Sequence, residues 1–222
     1  MRLNKLLALR LQISRRAADK LIEAGRITSH GEVTRLGIDV DNDDEDIRFD
    51  DRPLPPVVDL TYVLLNKPVG YVCSRRGQGS QTIYDLLPLD CQKLNPVGRL
   101  DKDSSGLMLL TNDGALHNKL THPKFQKNKT YQVVLDKPLS TDHIKAIESG
   151  GVTLDDGVSR FSIKPSSNKP AELEAVLKEG RNRQVRRTFE ALGYQVKILH
   201  RTQFGQYQIG NLRPGKTLIV NK

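Results

Sequence analysis

Leu3, Leu6 and Leu7 follow the i, i+3, i+4 spacing of a buried helical stripe, so the chain opens on a short helix. After Leu11 and Ile13, Ser14 has the side chain of an N-cap and Gly25 stands where a helix ends, which predicts a second helix between them. At about 100° per residue, Ala17, Ala18, Leu21 and Ile22 share one arc of that helix, and Arg15, Arg16 and Lys20 share the opposite one. One face packs and the other is basic. Ile27 to Val33, turning at Gly31, reads as a short hairpin edged by Arg26, His30 and Arg35. The acidic run at 41–46 fits a solvated turn. As a calcium loop it fails, because its sixth position is Asp46 where a glycine is needed and its twelfth is Arg52 where a bidentate Glu is needed.

Pro53, Pro55 and Pro56 cannot continue a helix or a central strand. They predict a linker at 51–60 between a small domain, 1–50, and a larger one, 61–222. From Thr61 the pattern changes to short β-like runs at Tyr62–Leu65, Gly106–Leu110, Tyr131–Leu135, Glu172–Leu177, Gln195–Leu199 and Thr217–Val220. Helical stretches intervene at about 115–120, 141–149 and 183–192, with Val185, Phe189 and Leu192 anchoring the last and Gly193 stopping it. Irregular alternation of this kind indicates an α+β body, a curved sheet with helices against it. There is no internal repeat.

Charge adds a partner class. Residues 1–35 carry a net +5, residues 36–60 a net −7 and residues 61–222 a net +11, together the +9 of the 222-residue chain. A basic head and a strongly basic body point to a polyanion, nucleic acid above all. No run approaches the roughly 18 apolar residues that span a bilayer, and the start lacks the apolar stretch of a secretory signal, so no membrane role and a cytoplasmic location are expected. Cys73 and Cys91 form no metal-binding spacing and read as structural thiols. Asn128-Lys129-Thr130 matches a glycosylation sequon that has no meaning without a secretory route.

Four segments carry candidate chemistry. In Gly98-Arg99-Leu100-Asp101-Lys102-Asp103-Ser104-Ser105-Gly106, an Asp between two basic residues leads into the apolar run Leu107–Leu110, which suits a rigidly held, ionised nucleophile. Lys178 to Arg187 contains five basic residues and one acid beside a helix start, including Arg181, Arg183 and Arg186, and reads as an anion-binding surface. Tyr131 opens a β-run beside Lys127 and Lys129 and suits either a core position or a base-stacking platform. Lys67-Pro68-Val69-Gly70-Tyr71 is a turn that also suits a substrate-facing loop. Asp101 with Asp103 or Asp113 further admits a paired-carboxylate hydrolase of glycosidic bonds.

The head, with RLNKLL, ISRRAADKLIEAGRIT and GEV, resembles the S4 domain, a compact RNA-binding module. The ordered set NKPVG, GRLDKDSSGL, KTYQV and EGRNRQVRRTFEALG resembles the RsuA-type pseudouridine synthases over essentially the whole chain. That resemblance implies an S4 domain followed by a catalytic domain on a mixed, mostly antiparallel sheet. It also implies isomerisation of specific uridines in ribosomal RNA, with small-subunit rRNA favoured, without metal or organic cofactor. By the same resemblance Asp101 is the essential aspartate, Tyr131 the tyrosine on the uracil and a general base, Arg186 the cation paired with the aspartate, and Leu199 the apolar residue packed on the base. Lys67, Arg99, Arg181 and Arg183 are expected to bind the substrate, with Arg15, Arg16 and Lys20 as a second contact. The partner is ribosomal RNA, free or in an assembling subunit, and nothing requires more than a monomer. A large-subunit rRNA pseudouridine synthase and a non-catalytic S4 assembly factor are the alternatives.

Overall fold

The structure, a computed structural model, describes residues 1–41, 44, 46–56 and 59–221. The chain divides into two compact units, Met1–Leu60 and Thr61–Lys222. In the small unit, helices α1 (Leu3–Arg10) and α2 (Arg15–Glu23) precede strands β1 (Ile27–Ser29), β2 (Glu32–Val33), β3 (Ile47–Phe49) and β4 (Arg52–Pro53), arranged β2-β1-β3-β4. Leu3, Leu6, Leu7, Ala18 and Ile22 meet Ile27 and Ile47 in one core, as the helical spacing requires. Ser14 caps α2 by accepting the Ala17 N–H at 3.1 Å. Gly25, at φ +68°, supplies the left-handed turn that ends the helix.

The proline-rich stretch starts later than its composition suggests. Arg52 and Pro53 still pair with β3, and Leu54 is buried in the small core. Pro53 is tolerated because β4 is an edge strand. Three of the residues in the acidic run, and two after Pro56, fall outside the described residues.

The large unit is built on a nine-stranded mixed sheet. Its strands are β5 (Tyr62–Lys67), β6 (Asn95–Pro96), β7 (Ser105–Thr111), β8 (Lys129–Leu135), β11 (Ser162–Pro165), β12 (Glu172–Leu177), β13 (Val196–Phe204), β14 (Tyr207–Gln208) and β15 (Thr217–Val220). Between β8 and β11 the chain forms the separate hairpin of β9 (Val152–Leu154) and β10 (Gly157–Ser159). The helices are α3 (Gly114–Thr121), α4 (Thr141–Lys145), which continues as a π turn to Gly150, and α5 (Gln184–Ala191). The main path runs β11-β12-β8-β13-β7-β5-β15, with β7 and β13 parallel and its other neighbours antiparallel. The α+β class read from the sequence is the observed one.

Two strands carry the centre. β5 and β7 are buried on both faces: Val63, Leu65, Met108 and Leu110 enter one core, and Tyr62, Leu64, Leu107 and Leu109 enter the other. That double burial explains their near-continuous apolar runs. A third core joins β8, β12 and β13 to α5 through Val133, Leu173, Val185 and Phe189. Where β13 crosses β7, Gly106 lies opposite Arg201 at φ +108°, and a Cβ there would sit inside the Arg201 backbone. No helix among the described residues is long and apolar enough to cross a membrane.

Candidate active site

The loop between β6 and β7 is held at consecutive peptide carbonyls. The Leu100 oxygen accepts from the Cys73 thiol at 3.1 Å, the Asp101 oxygen from Lys67 Nζ at 3.0 Å and the Ser104 N–H at 3.1 Å, and the Lys102 oxygen from the Gly70 N–H at 2.8 Å. The Asp103 oxygen accepts from Arg186 Nη2 at 2.8 Å and the Ser104 oxygen from Lys67 Nζ at 2.6 Å. A backbone tied at this density presents the Asp101 side chain from a fixed position, while no described residue donates to its carboxylate.

Asp101 is half-buried in the lining of a cleft of about 430 Å³. Tyr131, on β8 opposite Ala175 and Arg201, lines the same cleft and packs against two of the apolar cores. Leu199, buried on β13, is a further wall, and the exposed Arg99 lies in the lining too. A carboxyl group, a phenol and an apolar surface thus share one concavity large enough for a nucleoside.

Several expected contacts are arranged differently. Lys67 is not at the substrate surface: it is 0 % exposed and spends its ammonium on the Pro68, Asp101 and Ser104 carbonyls. Burial pushes its pKa down, against the pull of Cys73 and Asp101. Arg186 does not ion-pair with Asp101. Its guanidinium meets Asp103, Nε to Oδ2 at 3.2 Å, and donates to the Val196 carbonyl at 3.0 Å. Arg183 takes the same carboxylate with two parallel bonds of 3.0 Å. Burial raises the Asp103 pKa, and the Arg183 bonds with the Arg186 charge outweigh it, leaving the carboxyl below its ordinary value.

The remaining arginines of the basic run are also committed. Arg181 binds Asp156 at 2.7 Å and the Gly157 and Val158 carbonyls, and Arg187 binds Asp155 and Asp156. The run is therefore a set of internal clamps: Asp103 ties it to the Asp101 loop, and the β9–β10 hairpin ties its other end. Arg181 and Arg183 still line the cleft. The paired-carboxylate reading loses its second acid, because Asp113 caps α3 through the Ala115 and Leu116 N–H groups and accepts from Tyr62 Oη. In the small unit Arg15, Arg16 and Lys20 are exposed on α2, with Arg15 donating to Asn4.

Two side chains of this site, and the role of a third that was read only as a candidate second acid, escaped the reading of the sequence. Asp103 is the arginine holder, and Ser104 and Arg201 are buried polar residues in the cleft lining. Arg201 carried a readable signal only in retrospect, as a charge inside what proved to be a strand.

Comparison with known proteins gives a consistent result. Residues 61–191 match the family described as RNA pseudouridylate synthase, and residues 1–46 match the S4 domain. The chain is 38% identical to ribosomal small subunit pseudouridine synthase A of Yersinia pestis, covering 97% of this chain and 93% of that protein. It is 35% identical to the protein of the same name from Escherichia coli K12, covering 97% and 94%. A crystal structure of a pseudouridylate synthase aligns with a TM-score of 0.70 at 31% identity, over 100% of this chain and 96% of the other.

Proposed function

The chain belongs to the RNA pseudouridylate synthase family, and on that premise we propose that it isomerises specific uridines of small-subunit ribosomal RNA, using Asp101 as nucleophile and no metal or organic cofactor. The names of the Yersinia pestis and Escherichia coli relatives support the choice of RNA. The observation that carries the choice of residue is the pinned loop, whose carbonyls from Leu100 to Ser104 are all engaged while the Asp101 carboxylate has no described donor.

The reaction breaks the N1–C1′ bond, turns the base and joins C5 to C1′. The proton leaving C5 is matched by one gained at N1, so no electrons, phosphate or water are consumed, and a metal or redox group has no step to perform. A carboxylate serves this chemistry by adding to the base or by taking C1′ as the base departs; either route needs it ionised, fixed and shielded. Tyr131 stacks on the uracil and accepts the C5 proton, and Leu199 closes the apolar side. Arg186 acts through Asp103, holding the loop against α5. The target uridine leaves its helix to reach the cleft, at a cost of a few kcal/mol that phosphate contacts offset. The exposed arginines of the small unit add a second contact on the same RNA and raise its effective concentration.

The test is chemical mapping of pseudouridine in all rRNAs from cells lacking this gene, beside cells rescued with the wild type or Asp101→Asn. One site in small-subunit rRNA disappears and only the wild type restores it. Restoration by Asp101→Asn removes the nucleophile, a site in large-subunit rRNA removes the substrate assignment, and no change at any site removes the enzymatic role on rRNA.

A further inference from the structure

Two cations in the cleft stand apart from the clamped arginines. Arg201 is 2 % exposed; its Nε donates to the Leu107 carbonyl at 2.8 Å, its Cζ lies 4.8 Å from the Phe204 ring centre, and its Nη2 has no hydrogen-bond partner. Lys129, half-buried, reaches the Glu179 carbonyl at 3.3 Å and stands 5.5 Å from the centre of the same ring. Neither forms an ion pair with any described carboxylate. Burial, then the Arg201 charge, lowers the Lys129 pKa, so the two cations feel each other. Both side chains line the cleft that holds Asp101 and Tyr131.

A buried charge without a counter-ion is costly, and two neighbouring ones are costlier. Phe204 holds both in place sideways but supplies no anion. The backbone leaves the site open: a Cβ at Gly180 would stand 3.4 Å from Lys129 Nζ, so the bare glycine keeps the ammonium uncrowded. On an RNA strand the fully ionised group is the phosphodiester, whereas uracil offers only neutral carbonyls. We propose that Lys129 and Arg201 form the binding site for the phosphodiester adjoining the target uridine, so that the strand is gripped beside the base while the base faces Asp101 and Tyr131. The proposal rests on the RNA reading given above.

The experiment measures binding, so that it stands apart from turnover. Full-length protein carrying Asp101→Asn is titrated by fluorescence anisotropy with a short oligoribonucleotide containing one central uridine. The oligonucleotide is made with phosphodiesters throughout, or with a single neutral methylphosphonate on the 5′ or the 3′ side of that uridine. One neutral linkage weakens binding roughly tenfold or more, the scale of a charge-assisted hydrogen bond. Lys129→Met weakens binding of the normal RNA comparably, and the two changes together cost no more than either alone. Lys129→Arg keeps the sensitivity to the linkage, and the side that responds says which phosphate is held. Equal binding of all three RNAs, or penalties that multiply, overturns the proposal. Turnover of the all-phosphodiester rRNA by the wild type is read separately. If no pseudouridine forms while the linkage penalty still depends on Lys129, the phosphate site stands and the reaction assignment falls.

Discussion

Lys67→Met tests whether the Asp101 loop depends on a buried ammonium. Methionine fits the volume and removes all three donors at once, from the Pro68, Asp101 and Ser104 carbonyls at 3.0, 3.0 and 2.6 Å. The Asp101 oxygen keeps the Ser104 N–H, so its loss is partial. A buried acceptor left without a donor costs about 1–3 kcal/mol, and the relief from no longer burying a charge works the other way. The balance is a loss of about 3 kcal/mol, a large fraction of the roughly 5–15 kcal/mol that holds a domain together. At about 2–4 °C per kcal/mol for a chain of this size, Tm falls by on the order of 10 °C. Because the lost bonds lie under residues 101 and 104, kcat falls as well while the affinity for RNA holds, since Lys67 does not line the cleft. Urea unfolding gives the stability, and single-turnover kinetics on an rRNA fragment give the split between chemistry and binding. A loss below about 1 kcal/mol with an unchanged kcat, or a loss confined to RNA affinity, refutes the argument.

Asp103→Asn frees Arg183 and takes the ion pair from Arg186, which keeps its bonds to the Asp103 and Val196 carbonyls; turnover falls about tenfold through the loosened loop, while RNA binding steepens in salt by about one charge. The Asp103 carboxyl is held below its ordinary value, so its contribution to stability is present above about pH 4 and lost as pH falls further. The gap between wild type and variant in urea midpoint therefore closes on acidification. His200, whose Nδ1 lies 2.9 Å from Ser105 Oγ, has its pKa lowered by burial. The unfolded chain takes up that proton first as pH drops below about 6.5, so stability declines there. His200→Gln flattens that decline in a Tm series from about pH 7.5 to 5. Gly106→Ala forces a Cβ into the Arg201 backbone at a positive φ and costs more than about 3 kcal/mol in urea unfolding. Gly114→Ala, where nothing lies within 4 Å, serves as the neutral control.

What the sequence revealed and what it withheld follow from the same physics. β5 and β7 were legible because burial on both faces demands apolar residues at nearly every position. β13 was read only to Leu199, because His-Arg-Thr-Gln follows, yet the strand runs on to Phe204. Its polar stretch is satisfied by partners far away in the chain, the Leu107 carbonyl for Arg201 and Ser105 for His200, which no local pattern displays. The β9–β10 hairpin escaped for a related reason: three-residue strands are too short to show a period of two.

That omission shaped the reading of charge. Asp155 and Asp156 sit on the hairpin and Asp103 on the Asp101 loop, and together they hold Arg181, Arg183, Arg186 and Arg187. A count of basic residues along the chain therefore pointed to an anion surface where the fold builds clamps. On the proposed reading, the positive excess of the large unit reaches RNA through cations that are not tied: Arg99, Lys127 and Lys178 in the cleft lining, which form no ion pair among the described residues, and Lys129 with the buried Arg201. On that reading the arginine-rich segment positions the Asp101 loop, and the less conspicuous untied cations carry the attraction to RNA.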